Sequence, residues 1–62
     1  MDEKKILVVE DEAIVAEAIA ESLKKQGYQI VAIVTNGEEA IETAAQTQPD
    51  LVLMDIVLEG DM

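Results

Sequence analysis

The chain has 62 residues, no cysteine, histidine, tryptophan or phenylalanine, a single tyrosine at Tyr28 and a formal net charge of -10. That is one small domain at most, and a chain of this length buries only about 60% of the surface its unfolded form exposes. Disulfide staples are excluded, and fourteen acidic residues against four lysines leave no basic patch for nucleic acid or an anionic membrane.

The core must come from Ile, Leu, Val, Met and Ala. The amino terminus, Met1-Asp2-Glu3-Lys4-Lys5, leads into only a few apolar residues before Glu10 and Asp11. That run is far too short for a signal peptide or a membrane span, so a cytoplasmic location is expected.

Ile6-Leu7-Val8-Val9 is a branched apolar run stopped by Glu10-Asp11-Glu12, the pattern of a strand covered on both faces. From about Glu12 to Gln26, Ile14, Val15, Ala18, Ile19 and Leu23 recur at three- and four-residue steps, which predicts an amphipathic helix. Acidic residues are expected in its first turn, Lys24 and Lys25 in its last, and Gly27 at a left-handed cap.

Gln29-Ile30-Val31-Ala32-Ile33-Val34 reads as the second strand. Asn36 with Glu39 three residues on resembles a capping box, so a second helix starts near Gly37. Ala40, Ile41, Ala44 and Ala45 give it a narrow apolar stripe, and Pro49 forbids its continuation past roughly Gln46. Leu51-Val52-Leu53-Met54 is a third apolar run, broken by Asp55.

Strand, helix, strand, helix, strand with short connections predicts an α/β unit of parallel strands and right-handed crossovers. Strands one and three both end in carboxylates, Glu10 with Asp11 and Asp55, and ligands of open α/β sheets bind at such ends. If strand two lies on one side of strand one and strand three on the other, these carboxylates share one crevice. At about 5 Å and an effective dielectric near 20, a single pair repels by roughly 3 kcal/mol gross. A divalent cation would neutralise the cluster, and an all-oxygen donor set suits magnesium better than zinc.

Ile6-Leu7-Val8-Val9-Glu10-Asp11-Glu12, then Asn36-Gly37-Glu38-Glu39-Ala40, then Pro49-Asp50-Leu51-Val52-Leu53-Met54-Asp55 resembles the receiver domain of two-component response regulators. The resemblance spans the whole chain and rests on the joint spacing of the acidic pair and the later Asp. It implies a flavodoxin-like fragment, βαβαβ, with three parallel strands in the order 2-1-3 and a helix on each face. It also implies that Asp55 accepts phosphoryl from the phosphohistidine of a histidine kinase or phosphotransfer protein. Magnesium (Mg2+) would then be held by Asp11 directly, Glu10 mainly through water, Asp55, and the backbone carbonyl of Val57. Glu10 stands where aspartate is commoner in the family, and Glu59 where many members have proline.

Taken singly, these residues have plainer readings. Glu12 is expected to stabilise the first helix turn rather than bind metal. Asp50 and Asp61 read as solvated loop acids, and Asn36-Gly37 as a turn and cap.

The resemblance places a hydroxyl residue and a lysine on a fourth and a fifth strand, so residues 1–62 are expected to be a truncated receiver that accepts phosphoryl but is not an enzyme. Magnesium binding is expected to be weak or absent in such a fragment. The alternative is a self-associating half-domain without signalling activity, a homodimer through the exposed edge of strand three. A dinucleotide-binding unit shares the element order but needs a glycine-rich turn after strand one, and Glu10-Asp11-Glu12-Ala13 has no glycine.

Overall fold

A computed structural model describes residues 3–55, the last of them by its backbone alone. The elements are β1 (Lys5–Glu10), α1 (Ala13–Lys25), β2 (Gln29–Val34), α2 (Gly37–Thr47) and β3 (Leu51–Asp55). The strands form one parallel sheet in the order β2-β1-β3, the expected order and direction.

The central strand is the core. Ile6, Leu7, Val8 and Val9 are all but inaccessible to solvent, and period-two alternation sends them to opposite faces. Leu7 and Val9 pack with Val34 and Ala40, joined by Val31, Ala32 and Ala44. Ile6 and Val8 pack with Ala16, joined by Ile19, Leu23, Ile30 and Leu53. One helix therefore covers each face, α1 on the second cluster and α2 on the first.

Helix α1 meets the sheet through smaller residues than the sequence suggested. In α1 the buried residues are Ala16 and Ala20, Ile19 and Leu23 are half-buried, and Ala18 is exposed. Ile14 is 83% exposed. The helix carries apolar residues around more than half its circumference, so periodicity could not choose the centre of the buried stripe. Alanines at the contact let the helix axis approach the strands closely. In α2 the expected apolar stripe meets the sheet through Ala40 and Ala44, while its other two members, Ile41 and Ala45, are exposed.

The helix ends follow local chemistry. No acidic residue lies in the first turn of α1, because the helix begins at Ala13 and Glu12 falls at its N-cap without a side-chain capping bond. At the other end, Gly27 (φ 99) closes the helix with its N–H on the Lys24 carbonyl at 3.0 Å and the Tyr28 N–H on the Leu23 carbonyl at 3.1 Å. This is a Schellman cap, and its left-handed backbone is the reason for glycine. Helix α2 is capped by the Asn36 side chain, which accepts from the Glu39 N–H at 2.8 Å. It ends at Gln48 in the left-handed region (φ 50), directly before Pro49, which cannot continue a helix.

The β1–β2 register runs Ile6↔Ile30 and then Leu7↔Ala32, so Val31 is an extra residue and β2 carries a bulge. Both Val31 and Ala32 pack on the α2 side. No described helix is long and apolar enough to cross a membrane.

Candidate functional site

The register of β1 with β3 is unbroken from Ile6↔Leu51 to Glu10↔Asp55. Neighbouring strands lie about 4.8 Å apart, so the last residues of β1 and β3 stand side by side at the carboxyl edge of the sheet. This is where ligands of open α/β sheets bind. The fold thus brings together Glu10, Asp11 and the backbone of Asp55.

Glu10 is not a solvated loop acid. It is 5% exposed, and its Oε1 accepts a hydrogen bond from the Glu12 N–H at 3.1 Å. A buried carboxylate is costly unless hydrogen-bonded, and here the bond also shapes the turn between β1 and α1. An acid two residues before an amide, at a strand-to-helix turn, is a signal that sequence reading could have used. Asp11 is exposed on that turn, as is Glu12, whose carbonyl accepts the Ala16 N–H at 2.9 Å.

The Asp55 side chain, Val57, Glu59 and Asp61 lie outside the described residues. Among the described residues, no three of His, Cys, Asp and Glu converge to hold a metal ion. Glu10 and Asp11 are oxygen donors that could serve a cation beside the Asp55 position. That donor chemistry fits a hard divalent cation such as magnesium.

Asn36 and Gly37, read as a turn and cap, are that. Asp50 is exposed, as expected, but it is not merely solvated. Its Oδ2 accepts from the Lys5 N–H at 2.7 Å, and its own N–H donates to the Lys5 carbonyl at 2.8 Å.

Comparison with known proteins shows the family to which this sheet belongs. The family model of the response regulator receiver domain matches residues 6–62, and the chain belongs to that family. It is 43% identical over 53 residues to the transcriptional regulatory protein PdtaR of Mycobacterium tuberculosis, covering 86% of this chain and 26% of that protein. It is 36% identical over 55 residues to the chemotaxis protein CheY of Thermotoga maritima, covering 89% of this chain and 46% of that protein. A protein-glutamate methylesterase/protein-glutamine glutaminase of Archaeoglobus fulgidus is 40% identical over 52 residues, 84% of this chain and 15% of its own length. The chain therefore spans less than half the length of each of these relatives. Family membership supports a phosphoacceptor role in two-component signalling.

Proposed function

We propose that residues 1–62 supply the first three strands and two helices of a cytoplasmic receiver and that Asp55 is its phosphoacceptor. The observation that carries this reading is the Glu10↔Asp55 pairing, which sets the acidic end of β1 beside the end of β3. A carboxylate oxygen of Asp55 attacks the phosphorus of a phosphohistidine on a histidine kinase or phosphotransfer protein. The new O–P bond makes an acyl phosphate, and the P–N bond breaks with its electron pair going to the imidazole nitrogen. Attack by one anion on another needs charge neutralisation and in-line positioning.

Asp11, Asp55 and the Val57 carbonyl would hold Mg2+, with Glu10 acting through water, and the cation supplies the positive charge that lets the anions approach. Glu10 supplies a second thing, the turn that holds Asp11 in place. The hydroxyl residue and lysine of the family pattern belong to later strands, outside residues 1–62. The chain is an acceptor of phosphoryl rather than a turnover enzyme.

The test is incubation with magnesium and a small phosphodonor, followed by intact mass. A phosphoryl adduct is expected that disappears in Asp55→Asn and when magnesium is chelated. An adduct that survives Asp55→Asn would place the acceptor elsewhere and sink the assignment.

A second reading has its own observation. Among the described residues β3 has no strand on its outer side, and Leu51, Val52 and Met54 are 55%, 39% and 57% exposed. An unpaired apolar edge is a template for pairing, so the 62-residue chain is expected to form a homodimer through β3. Sedimentation should then show concentration-dependent dimers that Val52→Lys disperses. A monomer across the whole concentration range rules this out.

A further inference from the structure

A strand's register is ordinarily set by which side chains must be buried, and β3 has little of that information. Leu51, Val52 and Met54 are exposed, only Leu53 is half-buried against the α1-side cluster, and the run Leu-Val-Leu-Met offers one apolar residue for another at each step. A one-residue slip would cost this run little in burial. It would, however, put Met54 opposite Glu10 and reverse the face of each position in the strand. A two-residue slip would carry the acceptor one full pleat, about 6.6 Å, along the edge.

Something other than hydrophobic pattern must hold β3 in place, and the structure shows it one residue before the strand begins. Asp50 grips the Lys5 peptide from both sides, its Oδ2 on the Lys5 N–H at 2.7 Å and its N–H on the Lys5 carbonyl at 2.8 Å. The first of these is a side-chain hydrogen bond that ties the start of β1 to the residue just before β3. The ladder then counts from this pair, Ile6↔Leu51 through Glu10↔Asp55. Pro49, just before it, restricts the backbone that leads from α2 into the grip.

We propose that Asp50 is a positioning residue for the phosphoacceptor: clamping Lys5 at the amino end of the sheet, it fixes the register that sets Asp55 beside Glu10 at the carboxyl end. The inference rests on the Asp55 reading above, and its test separates the two. Backbone NMR contacts between β1 and β3 and the exchange rate of the Lys5 amide report register. The rate of phosphoryl uptake reports function.

Asp50→Ala should deprotect the Lys5 amide, weaken or displace the Glu10–Asp55 cross-strand contacts and slow uptake by about tenfold or more, since even small misplacement is costly in rate. Asp50→Asn should restore all three, because the amide oxygen can accept the same bond. Unchanged cross-strand contacts and uptake in Asp50→Ala would overturn the proposal. So would Asp50→Asn as impaired as Asp50→Ala, which would make charge rather than the clamp the active property. Should Asp50→Ala fail to fold, Asp50→Glu is read instead. It keeps the charge but lengthens the reach, and retention of the full register and uptake rate there refutes the clamp. If the parent chain takes no phosphoryl group, it is the Asp55 reading that fails, while the contacts and exchange rates still judge Asp50.

Discussion

Leu7→Ala is expected to remove a large share of the chain's stability and to lower its melting temperature steeply. Leu7 is fully buried at the centre of the middle strand, packed with Val9, Val34 and Ala40. Truncating such a leucine costs about 2–5 kcal/mol, more where the surroundings cannot close the cavity. Here they cannot: the helix side of the cluster is Ala40 and Ala44, which have no side-chain length to give. A domain of this size has roughly 3–9 kcal/mol in total, so one substitution removes a large fraction of it. Far-UV circular dichroism against temperature measures the loss. Ile41→Ala is the internal comparison, since Ile41 is 74% exposed and its truncation should shift stability by about 0.5 kcal/mol or less. Equal losses in the two variants would mean that the core is misplaced.

The second large effect separates the three carboxylates of the edge by role. Asp55→Asn should abolish phosphoryl uptake outright, because it removes the nucleophile. Asp11→Asn should leave the acceptor in place but raise the magnesium concentration needed for half-maximal uptake by about tenfold or more, because it removes a charge from the cation's donors while keeping an oxygen there. Glu10→Gln should raise it less, because its carbonyl oxygen can still accept the Glu12 N–H and so preserve the turn that carries Asp11. Glu10→Ala removes that bond and should resemble Asp11→Asn. A magnesium titration of uptake in the four variants is the measurement. If Glu10→Gln proves as damaging as Asp11→Asn, the charge of Glu10 rather than its hydrogen bond governs the site.

The elements and their order were legible because each signal was strong and local. Branched apolar runs marked the strands, Gly27 and Pro49 ended the helices, and Asn36 capped one. The faces of the helices were legible only in part, through Ile19 and Leu23 in α1 and Ala40 and Ala44 in α2. Ile14 and Ile41 looked like core by size, yet Ala16, Ala20 and Ala40 are what the sheet admits, because close packing selects small residues when the surplus of apolar ones leaves the stripe undefined. At the site, the pairing of Glu10 with Asp55 needed the sheet order, which the family resemblance provided and the strand runs alone did not. The clamp at Asp50 was missed for a different reason. An acid after proline and before a strand is indistinguishable from a solvated one until its partner, Lys5, is known to lie 45 residues away in sequence.

The bulge at Val31 acts on β2 as a frameshift acts on a message. Before it, Ile30 belongs to the α1 face. After it, Ala32 and Val34 belong to the α2 face, and Ile33 lines a hollow on the α1 side together with Glu17 and Ala20. Were Val31 to take an ordinary place in the ladder, each later position would swap sides, and Val34 would leave the cluster that it shares with Leu7, Val9 and Ala40. Sequences aligned to this strand without a gap can therefore agree letter for letter at its start and still disagree about which letters are interior at its end.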